Sequence, residues 1–428
     1  MKTTSTIKPS RRQRLTTAVA SALILLGAAA SSNAADVSLN ASDAVNTTSW
    51  NAAGHWNNSQ APGPGNNYFT AGFTLRSPAS GGSVSFAGDS LTLQPLSPTF
   101  GVCVNIKFNS GSFLIINNCT NASGVIGNGN GGTTYGISGN MVFTAPAGPC
   151  SFALAGDASR FLILSNLNMS GSAMISNGYS AGPNGLGTIV YAGNATTFTG
   201  PLITSAGTIL RAYSQTNLGA NPSSFNAAQF VLDNGIFTPL ASMSFDNANS
   251  GVSIYPGGGT FNIGSGINFT NANPLAGSGA LTKSGVGVMV QNGSGAGFTG
   301  NTTVSAGTLA IGPSGSLSGS PVINVAGGAI LDASAAGLIM STGQQLIGAG
   351  TINGNVTDAS GCTINAGSSG SVTNLTFGNN LTLVNGGNIG VAFNAATNGY
   401  LTVNGNLSPS GITYINIITA PPGGFVNA

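Results

Sequence analysis

One block of sequence occurs twice in this chain, and the two copies start 100 residues apart. Residues 198–208 read FTGPLITSAGT, and residues 298–308 read FTGNTTVSAGT. Each copy follows a Gly-rich strand pattern and precedes a step of two apolar residues and an Asp, at 231–233 and 330–332. Self-similarity of this kind is typical of stacked-repeat architectures, in which each unit buries its apolar face only against its neighbours. The repeat therefore predicts an elongated array and disfavours most globular enzyme folds.

The first 34 residues have the pattern of an export signal. An uncharged stretch rich in Ala and Leu runs from 15 to 30, and small residues follow it up to a predicted cleavage between Ala34 and Ala35. The apolar run is short for a membrane anchor, which is the alternative reading. Both the general secretory route and the twin-arginine route remain open. The basic residues that precede the apolar run are Lys2, Lys8, Arg11, Arg12 and Arg14.

The chain without this leader carries very little charge. Five Lys or Arg remain against eight Asp, there is no Glu, and the formal charge changes from +2 to −3. Binding to nucleic acid needs clustered Lys and Arg that replace phosphate counterions, so the composition predicts no nucleic-acid partner. Charged residues make up 4% of the sequence, against about a quarter in ordinary globular proteins. Solubility therefore has to come from Asn, Ser and Thr, which suits an extracellular β-protein.

Short strands separated by sharp corners fill the rest of the sequence. Apolar and polar residues alternate with period two in segments such as 381–383 and 401–403. Asn-Gly pairs such as Asn353-Gly354 lie between these segments, and both residue types tolerate positive φ. The predicted fold is all-β, a right-handed parallel β-helix (β-solenoid), with a sandwich or barrel as the alternative. We expect no membrane span after the leader.

The second copy of the block belongs to a longer motif. Residues 281–290 read LTKSGVGVMV, and residues 298–309 continue as FTGNTTVSAGTL. This stretch closely resembles the autotransporter-associated β-strand repeat, also called the passenger-associated transport repeat. The pattern of that family is roughly L-x-K-x-G-x-G-x-L, a spacer, and Y/F-T-G-x-T-x-V-x-x-G-x-L. The resemblance implies a secreted or surface-displayed β-helical passenger, and it implies no particular activity.

The sequence departs from an autotransporter at its C-terminal end. Autotransporters carry a C-terminal outer-membrane barrel, whereas the coil pattern here runs to Ala428 with no barrel or terminal anchor. We expect either a released protein or a chain that continues beyond these residues. The predicted organisation is a signal peptide at 1–34, capping and first coils at 35–180, and a β-helix with passenger-type repeats at 181–428, clearest at 187–233 and 281–332.

Few residues stand out as candidates for a site. Trp50 and Trp56 could present a platform on which a sugar ring stacks, or could cover the open end of the coil, which is the commoner role. Cys103 and Cys119 flank a predicted strand pair and could form a disulfide after export. His55 has no second His and no close acidic residue in sequence, so we expect neither a metal site nor a catalytic triad there.

Catalysis has little support in the sequence. Glycoside hydrolysis usually needs two carboxylates within several ångströms, and the eight Asp are scattered. An enzyme should gather several of them into a groove beside an Arg, whereas a structural rod should leave them apart. The residues that distinguish these two cases are Asp157, Asp233, Asp246, Asp332, Arg160 and Arg211.

We therefore expect a non-enzymatic protein, secreted or on the cell surface, that acts in adhesion or structural display. Extracellular polysaccharide or cell-surface components are the expected partners, and no cofactor or metal is expected. A carbohydrate-active enzyme, or a carbohydrate-binding module, on the same fold is the alternative.

Overall fold

A computed structural model places this chain as a long series of short strands. The residues that it describes are 34–44, 50–77, 82–93, 104–108, 112–122, 125–128, 134–144, 150–153, 160–178, 187–367, 372–393 and 398–419. A 3-10 helix at Gln215–Asn217 is the one helical element among them. These residues include no helix that is long and apolar enough to cross a membrane. Residues 1–33 of the predicted leader and Cys103 lie outside the described residues, whereas Ala34 is described and Ala35 begins the first strand.

The N-terminal half contains the longest strands. Four of them, β7, β9, β11 and β13, have eleven residues each. The strands of this half are β1 (Ala35–Ser38), β2 (Asn66–Phe69), β3 (Leu75–Arg76), β4 (Gly82–Ser85), β5 (Ser90–Leu93), β6 (Val104–Phe108), β7 (Ser112–Ala122), β8 (Val125–Asn128), β9 (Thr134–Thr144), β10 (Cys150–Ala153), β11 (Phe161–Gly171), β12 (Ile175–Asn177), β13 (Thr188–Phe198), β14 (Leu202–Ser205), β15 (Ile209–Ala212) and β16 (Asn226–Asp233).

The C-terminal half continues with shorter strands at close intervals. They are β17 (Gly235–Pro239), β18 (Met243–Phe245), β19 (Ser250–Ile254), β20 (Gly259–Asn262), β21 (Asn268–Asn271), β22 (Leu275–Gly277), β23 (Leu281–Ser284), β24 (Val288–Gln291), β25 (Gly297–Phe298), β26 (Thr302–Val304), β27 (Thr308–Ile311), β28 (Val322–Val325), β29 (Ile330–Asp332), β30 (Leu338–Ile339), β31 (Gln345–Gly348), β32 (Thr351–Asn353), β33 (Val356–Thr357), β34 (Thr363–Ala366), β35 (Asn374–Phe377), β36 (Leu381–Leu383), β37 (Gly387–Phe393), β38 (Tyr400–Val403), β39 (Leu407–Pro409) and β40 (Thr413–Thr419).

From β6 onward, consecutive strands fall in different sheets, and strands pair in parallel with strands of the coil before or after them. Leu281 pairs with Thr302 and Val288 with Thr308, so one coil spans 21 and 20 residues at these positions. We call the 18-stranded sheet the first face, the 10-stranded and 4-stranded sheets together the second face, and the 8-stranded sheet the third face. The predicted parallel β-helix is confirmed: the chain is a β-solenoid.

Alternation of apolar and polar residues decides which side of each strand faces the core. In β5, Leu91 and Leu93 are buried, and Ser90 and Thr92 are half-buried. The inward side chains stack from coil to coil into one continuous cluster. Burying one such aliphatic or aromatic side chain contributes about 1.5–3 kcal/mol. The densest aromatic part of this cluster has ring centroids 4.9 to 6.0 Å apart and consists of Phe230, Phe237, Phe245, Phe261 and Phe269.

A lysine occupies one inward position of this core. Lys283 pairs with Phe261 of the coil before and Val304 of the coil after, and it is fully buried. Its Nζ donates hydrogen bonds to three main-chain carbonyls, those of Ser284 at 3.0 Å, Gly285 at 2.8 Å and Ala306 at 3.0 Å. Burial lowers the pKa of Lys283 to about 8. The alkyl stem thus fills the core while the ammonium holds two successive corners together.

Asparagine side chains link successive coils at a corner of the solenoid. Asn380 N–H donates to Asn355 Oδ1 at 3.4 Å, and Asn406 N–H donates to Asn380 Oδ1 at 2.8 Å. The nearby Gly354 has φ of +88°, a conformation that glycine adopts without strain. The corner predicted from the pair Asn353-Gly354 therefore uses the glycine for the bend, and the next residue, Asn355, forms the hydrogen bond between coils.

The two copies of the repeated block lie on different faces of the coil. Residues 205–208 form the corner between β14 and β15, from the second face to the first. Residues 305–308 form the corner between β26 and β27, from the first face to the third. Gly207 and Gly307 both have positive φ, +76° and +63°. The repeated block therefore encodes a type of corner and not a fixed place in the coil.

Candidate functional site

The two tryptophans lie inside the N-terminal coils. Trp50 is 1% exposed and Trp56 is 2% exposed. Trp56 packs edge-on against Tyr68, with ring centroids 4.8 Å apart, and Tyr68 packs in turn against Phe86 at 5.3 Å. A sugar-stacking platform needs an exposed ring face, and neither tryptophan offers one, so this alternative has no support in the structure. Both tryptophan rings belong to the continuous core cluster.

The predicted disulfide between Cys103 and Cys119 stays a prediction, since Cys103 lies outside the described residues. Cys119 is buried on β7, and its burial, together with the neighbouring Cys150, raises the pKa of its thiol. Cys150 is also buried, and its Sγ lies 3.2 Å from the carbonyl oxygen of Asn121. Because a raised pKa leaves little thiolate at neutral pH, the Cys119 thiol should react slowly in these apolar surroundings.

His55 has an acidic partner that its sequence neighbourhood did not suggest. Its Nδ1 lies 3.5 Å from Oδ1 of Asp43, which is buried. The other oxygen of Asp43 accepts the N–H of Arg76 at 3.0 Å, and Arg76 Nε donates to the carbonyl of Asp43 at 2.9 Å. This group ties the first loop to β3. No group of three or more His, Cys, Asp or Glu that could hold a metal occurs among the described residues.

The aspartates named for a possible enzyme are spread over the coil. Asp233 ends β16 on the second face, where it accepts the N–H of Gly257 at 2.8 Å. Asp332 ends β29 on the third face and accepts the N–H of Ser334 at 3.0 Å. Asp246 follows β18 on the same face, four ladder steps from β29, which is about 19 Å at the usual strand spacing. Asp157 lies outside the described residues.

The arginines named with these aspartates do not join them. Arg211 lies in β15, with its guanidinium carbon 5.8 Å from the ring centre of Phe161. Arg160 directly precedes β11, and its carbonyl accepts the N–H of Thr188 at 2.8 Å. The described part of the chain therefore does not gather the predicted acidic and basic residues into one groove.

A groove does occur next to β18, the first strand of the third face. The C-terminal half of β13 lies on this side of the coil. The next strand on the same side is β18, which cannot pair with β13 because another coil lies between them. The intervening coil contributes the 3-10 helix at Gln215–Asn217 instead of a strand. Side-chain amides of this turn form hydrogen bonds to the coils on either side, where strand pairing would otherwise do so. Asn217 Nδ2 donates to the carbonyl of Gly193 in β13 at 2.6 Å, and Gln215 Oε1 accepts the N–H of Asp246 at 2.9 Å.

Asn217 also fixes the segment that leads into the turn. Its Oδ1 accepts the main-chain N–H of Tyr213 at 3.1 Å and that of Ser214 at 2.9 Å. The main chain of Tyr213 is thereby held in place while its side chain projects outward, 52% exposed. Asn217 therefore links the preceding coil to Tyr213 and Ser214, which line the groove.

The space beside this turn measures about 510 Å³, within the range of roughly 300–1,000 Å³ that small-molecule sites occupy. We call it the break groove. Its lining is mainly uncharged and polar, and Asp246 is the one charged residue in it. Residues that line it include Thr196, Tyr213, Gln215, Ser244, Asp246 and Asn247. Asp246 could be singled out from the sequence, but the groove could not, because its shape depends on a 3-10 turn where neighbouring coils have a strand.

A second groove, of about 380 Å³, marks a similar interruption of the second face. The 10-stranded sheet ends at β25 and the 4-stranded sheet begins at β30, and the coil between them places 312–321 there without a strand. Its lining contains Leu317, Ile339 and Met340 together with serines, and it contains no charged residue. In both of these grooves one coil supplies a turn in place of a strand.

Comparisons with protein-family models, with curated proteins and with solved structures find no match for this chain. The resemblance to the autotransporter-associated β-strand repeat therefore stays a prediction that is based on residues 281–309. The fold itself defines the class to which the chain belongs, the parallel β-solenoids.

Proposed function

We propose that this chain is exported and works as a β-helical surface or matrix protein, in adhesion or structural display and without catalysis. One observation carries the proposal: strand after strand from β1 to β40 is used to build the coil, and each pairs in parallel with its neighbours. Contacts between adjacent coils are sufficient to stabilise such an array at any length. A long rod with a polar, nearly uncharged surface is suited to presenting repeated weak contacts.

The roles of the charged side chains support display over catalysis. Asp233 and Asp332 accept main-chain N–H groups at the ends of strands, and the buried Asp358 accepts the N–H of Val384. Lys283 holds corner carbonyls inside the core. These charged groups form hydrogen bonds that stabilise the coil. A glycosidase would instead need two carboxylates that face one substrate.

Export is tested with the full chain expressed in a bacterial host. We expect a shortened protein in the extracytoplasmic fraction, with Ala35 as its first residue by N-terminal sequencing. Leu25→Arg, which places a charge in the apolar run, should leave uncut protein in the cytoplasm. Replacing Arg11 and Arg12 by Lys separates the two routes, because the twin-arginine route depends on that pair. Retention of the unaltered chain in the cytoplasm would contradict the proposal.

Catalysis is tested with the exported protein on neutral and acidic polysaccharides. New reducing ends report hydrolysis, and unsaturated products report elimination. We expect neither above the level given by a heat-unfolded sample. Cleavage that is abolished by Asp246→Asn would replace the display role with that of a carbohydrate-active enzyme.

A further inference from the structure

We infer that the break groove is a binding subsite for a neutral glycan. The inference rests on the proposed exported rod and names the class of ligand that one place on the rod would take. It is separate from the tryptophan platform considered from the sequence, because Trp50 and Trp56 are buried and do not line the groove. Three features of the groove support it: an exposed aromatic ring, unpaired polar side chains, and a nearly uncharged lining.

The exposed ring belongs to Tyr213. This side chain lines the groove and is half exposed, so ring surface is available to an apolar surface of similar size. The C–H face of a pyranose ring is such a surface. The anchoring of the Tyr213 and Ser214 main chain by Asn217 means that little order has to be gained when a ligand binds.

The polar groups beside this ring have capacity left for hydrogen bonds. Gln215 uses its Oε1 for the N–H of Asp246, and its amide NH₂ has no partner among the described residues. The Asp246 carboxylate likewise has no hydrogen-bond donor in the described part of the chain, and it is exposed at the groove. An amide donor and a carboxylate acceptor within one groove match the alternating donor and acceptor character of sugar hydroxyl groups.

The charge of the lining decides between classes of glycan. Asp246 is the one charged residue that lines the groove, and it is negative. A uronic or sulfated sugar would bring a second negative charge beside it with no Lys or Arg in the lining to compensate, and like charges in contact disfavour binding. A neutral sugar meets no such repulsion and can donate hydroxyl hydrogens to the carboxylate. The groove therefore selects neutral over acidic glycans.

The test measures binding of defined tetrasaccharides to the exported full-length rod by isothermal titration calorimetry. The neutral probes are the β-1,4-linked tetramers of glucose, mannose and N-acetylglucosamine, and the acidic probe is tetragalacturonate. We expect at least one neutral tetramer to bind and tetragalacturonate to bind more weakly than it. Tyr213→Ala should weaken the neutral ligand about tenfold, because the stacking surface is lost. Asp246→Ala should weaken it by about the same factor through loss of a charged hydrogen-bond acceptor.

Two further variants separate stacking from general damage. Tyr213→Phe keeps the ring and should retain the affinity, whereas Tyr255→Ala removes an exposed tyrosine outside the groove and should change nothing. The inference is overturned if no neutral tetramer binds, if tetragalacturonate binds as tightly, or if Tyr213→Ala and Tyr255→Ala behave alike. None of these results bears on export of the rod, which the leader variants test on their own.

Discussion

Replacing Lys283 by Met tests how the solenoid holds a lysine in its core. The Met side chain keeps the apolar stem between Phe261 and Val304 but removes the ammonium. Of the three carbonyls that the ammonium serves, that of Ser284 also accepts the N–H of Ile263 at 2.9 Å. The carbonyls of Gly285 and Ala306 have no other donor in the described part of the chain.

The expected loss follows from those two carbonyls. Leaving a fully buried acceptor without a donor costs about 1–3 kcal/mol, so the two carbonyls, which belong to half-buried residues, cost at most roughly 2–6 kcal/mol together. Removing the ammonium also removes the unfavourable burial of a charge, which is the cause of the lowered pKa of Lys283. The net destabilisation should therefore lie in the lower half of that range, about 2–4 kcal/mol.

Hydrogen exchange is the suitable assay, because a long repeat array need not unfold in one step. The reporter is the amide of Ser305, which donates to the carbonyl of Lys283 at 2.9 Å. Its protection should fall by about 2–4 kcal/mol in Lys283→Met. The control is Thr282→Met on the same strand, at a half-buried position, which leaves the ammonium in place and should cost less than about 1 kcal/mol. Equal protection in both variants would refute the role assigned to the ammonium.

Further predictions concern pH, the core, the break groove and salt. The pKa of Lys283 is about 8 when folded and 10.5 ordinarily, so the unfolded chain holds the proton more tightly. The local free energy of opening should therefore rise between these pH values in the natural chain but not in Lys283→Met, as measured by hydrogen exchange. Phe237→Ala should cost about 3–5 kcal/mol by the same method, since Phe237 contacts four other phenylalanines; a loss below that of a surface change would contradict the packing. Asn217→Ala should reduce amide protection of Tyr213 and Ser214 and leave that of Ser305 unchanged, whereas a uniform loss along the coil would argue against a local role. The melting temperature should change little between low and high salt, because ion pairs are few; a large shift would show that charge matters more than the composition indicates.

Much of the fold could be predicted from the sequence, because its determinants are local. Period-two alternation places Leu91 and Leu93 inside without any knowledge of the coil, and Asn-Gly pairs such as Asn353-Gly354 mark corners. The offset of the repeat was less informative, since the same corner sequence occurs at two different face boundaries. The local sequence pattern predicts that a corner occurs. The face on which the next strand lies depends instead on the total length of the strands and corners that precede it.

The break groove could not be predicted in the same way, because it depends on what one coil lacks. The sequence of residues 213–217 contains no pattern that predicts a 3-10 turn in this coil at the position where neighbouring coils have strands. The partners of Asn217 and Gln215 are Gly193 and Asp246, which lie 24 and 31 residues away in sequence. The pairing of His55 with Asp43 was missed for a related reason, since only the folded loop brings the two together.

The placement of the repeated corner on two different faces has a consequence for how such a chain can lengthen. If the repeated unit had to occupy one fixed face, a segmental duplication would be tolerated only when it added a whole number of coils. Here the same corner works between the second and first faces and between the first and third. We therefore expect this corner to accept insertions that are not a whole number of coils, because its sequence does not determine which face follows it.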